Sequence, residues 1–138
     1  MPFCHVYVFL LILRENKEMK ELDQNKTIFC DIDGVLFKFD EDFAVCMNHA
    51  RPLPGSAEKT MDWHKKGYRI ILVTGRPEAF RERTQKQLQR LGFIYDQLVM
   101  GCGSGPRYLV NDVPDDKGDS KAFSVNVLRN KGLGGLML

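Results

Sequence analysis

Three short segments of this sequence run from a hydrophobic stretch straight into groups that bind metals and phosphate. TIFCDIDGVLF sets Asp31 and Asp33 beside Gly34, RIILVTGR delivers Thr74, Gly75 and Arg76, and RYLVNDVPDD delivers Asn111 and Asp112 with Asp115 and Asp116 just beyond. Carboxylate oxygens are the ligands Mg²⁺ prefers, with positions left open for water and phosphate. Backbone N–H groups at a helix start suit a phosphate dianion. Singly, each piece is ordinary. An Asp-x-Asp pair also marks surfaces and metal-dependent sugar transferases, Thr-Gly-Arg is a common turn, and DVPDD reads equally as a solvated acidic loop. What argues for one site is their shared placement, each directly after an apolar run.

The elements that must position these groups alternate. Residues 27–32 and 69–74 read as strands buried on both faces. Residues 35–39 alternate apolar and polar, as a small hairpin arm would. Ser56 is the expected N-cap of a helix through Ala57, Met61 and Trp63 that Gly67 stops. Pro77 stands early in a polar helix to Leu91, with Gly92 as its C′ residue. Phe80, Leu88 and Leu91 form its apolar stripe, with Thr84 between them. Residues 97–100 and 108–110 read as short strands around the glycine-rich GCGSGP, and 122–127 as a last strand before a polar, glycine-rich tail. This order predicts an α/β fold: a single Rossmann-like domain, its mostly parallel sheet covered by helices on both faces. In such sheets ligands lie beyond the carboxyl ends of the strands, where all three segments end.

At 138 residues, 43% apolar and 28% charged, the chain fits one globular domain. That balance excludes a disordered chain, a collagen-like fibre and a multi-pass membrane protein. A net charge of +2 gives no broad basic field, so nucleic acid is not the expected partner. Cysteines 4, 30, 46 and 102 show no metal-finger spacing and read as reduced thiols of a cytoplasmic protein. The N-terminal FCHVYVFLLIL is shorter than the about 20 residues a membrane span needs, and it lacks signal-peptide features. It reads as a surface anchor, as an extra element of the domain, or, the favoured reading, as a stretch ahead of a start at Met19. Residues 1–18 are then an extension and 19–138 the domain.

The three segments resemble the successive signatures of the haloacid dehalogenase-like (HAD) phosphohydrolase superfamily, over about residues 26–133. The resemblance implies a small member without a large cap domain, acting on a phosphomonoester with Mg²⁺. Asp31 would be the nucleophile that forms an aspartyl-phosphate. Asp33 would protonate the leaving oxygen and later activate water. Mg²⁺ would be held by Asp31, the main-chain carbonyl of Asp33 and Asp112, and Thr74 and Gly75 would hold the phosphoryl oxygens. The lysine the family usually carries after its second motif is missing from the glycine-rich loop. Arg107 is the nearest cation there, with Lys117 and Lys121 as its rivals. At the head of a straight fourth strand its Cα would stand about 16 Å from the acidic end. It reaches the site only if the glycine-rich loop bends the chain.

The short spacing between motifs leaves the site open, closed by residues 35–39, by a neighbouring subunit of a homo-oligomer or by a large substrate. A small phosphorylated molecule, first of all a sugar phosphate, is the expected substrate. A receiver domain is disfavoured, because Val99 and Met100 stand where its phospho-accepting aspartate would be. The stronger rival is an idle HAD-like module that binds phosphate or a protein without turnover. A chain beginning at Met19 is expected to keep its fold and activity. A large fall in melting temperature on that truncation would show that residues 3–13 pack into the domain.

Overall fold

The computed structural model describes residues 14, 26–113, 118 and 120–138. The N-terminal apolar run, Met19, and Asp115, Asp116 and Lys117 lie outside them. β1 (Thr27–Asp31), β2 (Arg69–Val73) and β3 (Gln97–Val99) form a parallel sheet with β2 in the middle. Cys30 pairs with Leu72 and Leu72 with Leu98, so the carboxyl ends of all three strands share one edge. Helix α1 (Phe43–Asn48) and helix α2 (Ser56–Lys65) lie between β1 and β2. A short 3₁₀ turn (Glu78–Phe80) leads into helix α3 (Arg81–Arg90), which returns to β3. Among the described residues no helix is long and apolar enough to cross a membrane.

Strand alternation decides where the core sits. Ile28, Cys30, Ile70, Leu72 and Leu98 all turn to one face, where Ile32, Leu36, Phe37, Trp63 and Leu88 pack against them. The other face carries Phe29, 51% exposed, and Val99, 42% exposed. The α/β class and the parallel sheet are as the sequence predicts. Two expected strands are not: residues 108–110 and 122–127 are irregular, with Tyr108, Val110 and Phe123 at 88%, 89% and 75% exposure. Apolar and β-branched residues favour a strand only where a backbone partner and a packed face exist; among the described residues these runs have no backbone partner, and only Val127 packs against the core.

Other segments differ in detail. Residues 35–39 form no regular strand, although Phe37 makes one antiparallel bridge to Pro52, with Lys38 N–H on the Arg51 carbonyl and Leu53 N–H on the Leu36 carbonyl. Val35, Leu36 and Phe37 all donate their N–H to the Ile32 carbonyl, a tight turn that Gly34 permits at φ 90°. Ser56 is the first helical residue rather than the cap, because its hydroxyl donates to the Val35 carbonyl instead, and Gly55 caps α2. The polar tail is no loose end. Leu133 is buried, Lys59 donates to the Leu136 carbonyl, and Asn130 brackets the main chain of Phe39 with both ends of its amide.

Cys30 is buried in the core, and burial first, the neighbouring Asp31 charge second, pushes its thiol up to about 12. An unfolded chain releases that proton near the ordinary value of 9.0, so this contribution to stability is present below it and lost as pH rises above it. In native protein at about pH 8, peptide-mapped alkylation should mark exposed Cys102 while Cys30 and Cys46 stay protected. Rapid labelling of Cys30 without unfolding would contradict this packing.

Candidate active site

Asp31 is the last residue of β1, and its carboxylate is held at two points. Oδ1 accepts the Ile32 N–H at 2.8 Å, and Oδ2 faces the Arg107 guanidinium at 3.3 Å. The side chains are 35% and 38% exposed, so the pair sits at the rim of the sheet edge and stays open to solvent.

Asp33 is held quite differently. Its two oxygens accept from Nε and Nη2 of Arg76, both at 2.7 Å, a bidentate fork. The Arg76 side chain is 1% exposed. Its remaining nitrogen, Nη1, donates to Thr84 Oγ1 at 3.1 Å and to Gln87 Oε1 at 2.8 Å. Gln87 in turn donates to the Met47 carbonyl at 2.6 Å, at the end of α1. The Phe37 ring lies 5.4 Å from the guanidinium, which completes a closed setting for the charge. Asp33 thereby has one orientation, fixed from β2, α3 and α1 at once.

Thr74 is 1% exposed and uses its hydroxyl locally, accepting the Arg76 N–H at 3.1 Å. Gly75 is exposed, and among the described residues its N–H donates to no acceptor. It must be glycine because a Cβ there would meet the Gly103 carbonyl oxygen at 2.6 Å. The loop over residues 101–105 folds directly onto this turn, held by Cys102 N–H on the Thr74 carbonyl and Gly101 N–H on the Arg76 carbonyl. Gly101 and Gly103, both at φ 72°, provide the bend. That bend is why the straight-strand distance does not apply, and Arg107 comes back to Asp31.

Asp112 is not gathered with the other two. It lies in exposed irregular chain, and among the described residues no three His, Cys, Asp or Glu side chains stand where they could hold a metal ion. The physical reason is the strand that does not form: without 108–110 in the sheet, nothing fixes Asp112 at the site edge. Two oxygen donors remain there, the Asp31 carboxylate and the main-chain carbonyl of Asp33, which accepts no backbone hydrogen bond from the described residues. That set fits Mg²⁺, which takes one or two carboxylates and keeps its other positions for water and substrate phosphate. Lys121 is exposed and makes no ion pair among the described residues.

The profile of the PITM 1–3, LNS2 domain family matches residues 28–130, about three quarters of the chain. The chain belongs to that family. The LNS2 domain has a HAD-like phosphatase fold, in agreement with the α/β architecture above. A chain of the Pnkp1/Rnl/Hen1 complex is similar at 27% identity, over 62% of this chain and 31% of its own length, with a TM-score of 0.50. A protein from Vibrio cholerae shares the fold at 16% identity, over 82% of this chain and 90% of its own, with a TM-score of 0.51. D,D-heptose 1.7-bisphosphate phosphatase from B. bronchiseptica, complexed with magnesium and phosphate, matches at 22% identity over 59% of this chain and 51% of its own, with a TM-score of 0.44. This LNS2 chain thus spans about a third of the Pnkp1/Rnl/Hen1 chain and about half of the heptose phosphatase. No curated protein matches the sequence.

The sequence reading gave Arg76 no role. The signal for it lay in α3: Thr84 and Gln87 fall on the buried stripe of Leu88, and polar groups so placed demand a buried donor. Removing Arg76 leaves the Asp33 charge unpartnered, and breaking such a pair costs about 3 kcal/mol. Arg76→Ala should therefore lower the melting temperature clearly. Asp33→Asn with Arg76→Met, which removes both charges, should recover part of the loss. An Arg76→Ala protein as stable as wild type would show that the fork is not structural.

Proposed function

We propose that this domain hydrolyses phosphate monoesters through an aspartyl-phosphate on Asp31. The observation that supports this most is the division of labour between the two aspartates. Asp33 is locked by a buried arginine, while the Asp31 side chain, two residues away, is 35% exposed and meets only the rim guanidinium of Arg107 at its Oδ2. In this reading an Asp31 oxygen attacks phosphorus and the bond to the leaving oxygen breaks. The leaving oxygen takes a proton from Asp33, which carries it on the lone pair of one oxygen that faces away from Arg76. Water then attacks the phosphorus of the aspartyl-phosphate and gives its proton to Asp33, which frees phosphate and restores Asp31. Arg107, released from Asp31 as phosphate arrives, can take two phosphoryl oxygens at once. The Gly75 N–H supplies another donor. Bound Mg²⁺, on the Asp31 carboxylate and the Asp33 carbonyl, would offset the repulsion between a carboxylate and a phosphate dianion.

The substrate class proposed is a small phosphorylated molecule, first a sugar phosphate, in a cytoplasmic setting. Free Cys30, Cys46 and Cys102 agree with a reducing compartment. The open site makes a phosphorylated nucleic-acid end the substrate to include as a comparison, although the near-neutral charge argues against it. One observation favours the idle module: Arg107 sits on the very oxygen that would attack.

A panel of phosphate monoesters assayed with Mg²⁺ and with EDTA separates the two. Turnover should need the divalent ion. Asp31→Asn should abolish it, and Asp33→Asn should lower it by about 10² or more. Arg107→Ala should cost about tenfold in kcat/KM at an unchanged melting temperature. Asp31→Asn activity within about tenfold of wild type would sink the nucleophile assignment. Phosphate binding by the wild type without any turnover would establish the idle module.

A further inference from the structure

A second cationic site lies at the far end of α3. Asn48 and His49 at the end of α1, then Ala50 and Arg51, with Val45 behind them and Arg90 in the last turn of α3, line a cavity of about 500 Å³. That is the size range of small-ligand sites. The ten residues of α3 set Arg90 about 14 Å from Arg81 along the helix, at about 1.5 Å per residue. None of the residues that line the cavity belongs to the Asp31 edge, and the Gln87 bridge between Arg76 and Met47 stands between the two.

Every charged group that lines the cavity is positive or neutral, and none is acidic. The side chains of Arg51 and Arg90 make no hydrogen bond or ion pair among the described residues. This contrasts with Arg76, whose guanidinium is bonded on all three nitrogens. Arg83, one helical face along from Arg90, donates to Asn48 Oδ1 at 3.0 Å. Arg83 occupies one acceptor position of the Asn48 oxygen, and both N–H groups of its amide remain to be offered. Two guanidiniums, an amide NH₂ and an imidazole present mainly donors, which is the complement of an anion.

The helix ends here work against an anion, because carbonyl ends carry a partial negative charge of about half an electron each. His49 N–H on the Val45 carbonyl and Leu91 N–H on the Gln87 carbonyl already satisfy part of each end. Two full guanidinium charges outweigh what is left.

We infer that this cavity binds a compact dianion, a phosphate group above all, at a site independent of Asp31. Planar guanidiniums pair with two phosphate oxygens each, so Arg51 and Arg90 together match the four acceptor oxygens of the group. The inference stands whether or not Asp31 turns a phosphate ester over.

The test is a titration of the full chain with inorganic phosphate, followed by ¹H–¹⁵N spectra at fixed ionic strength, with sodium chloride as the control. Saturable shifts at His49, Arg51 and Arg90, with a Kd of about 1 mM or tighter, are expected. Arg51→Gln and Arg90→Gln should each weaken binding by about fivefold or more, while shifts at Gly75 and Cys102 persist. Both residues are exposed, and the spectral dispersion of each variant reports its fold directly. Three results would overturn the inference: no saturation by roughly 20 mM phosphate, equal shifts with chloride, or unchanged affinity in both variants. Loss of the Gly75 shifts alone would count against phosphate at the Asp31 edge and leave this site standing.

Discussion

The fork between Arg76 and Asp33 is the constraint from which the rest of the site follows. A guanidinium that is 1% exposed needs its charge balanced and its donors satisfied, or the fold would lose several kcal/mol. The turn after β1 supplies the counter-charge, α3 supplies Thr84 and Gln87, and Gln87 passes the bonding on to α1. Three segments besides its own are thus tied to one side chain. The same fork explains why two aspartates in one short motif differ so much. Asp33 is held on both oxygens by one buried guanidinium, whereas Asp31 projects from the strand end, 35% exposed, with only the rim residue Arg107 at its Oδ2.

The second constraint is steric. Gly75 lies so close to the Gly103 carbonyl that the turn after β2 could carry no larger residue there without moving. This contact turns the chain at residues 101–105 back across the strand ends. Arg107 follows from it, brought to Asp31 by the loop and not by a strand. At the rim it is 38% exposed and close enough to offset the Asp31 carboxylate.

The legible part of the sequence was the part whose periodicity and burial agree. Residues 27–31, 69–73 and 97–99 are apolar runs next to turn residues, and all three became strands of the sheet. Asp31 and Asp33 were legible because their position at a strand end is fixed by that same pattern. Residues 108–110 and 122–127 show the limit. Their composition favours strands, yet strand formation depends on a partner that composition does not name. Asp112 was misplaced with them. Arg76 and Gln87 were hidden for the opposite reason, since a buried polar network depends on contacts between distant segments and leaves only polar residues on an apolar stripe. Helix α1 went unseen because six residues carry too little periodicity, and its start rests on the Asp42 side chain accepting the Ala44 N–H.

The central claim is that the locked aspartate serves the free one. Its most direct test is to mix the protein with a phosphomonoester, quench in acid within a turnover, and map the phosphorylated residue by mass spectrometry. The account predicts phosphate on Asp31, and more of it in Asp33→Asn, where release by water is slowed. Phosphate on any other residue, or turnover with none trapped in either protein, would contradict it.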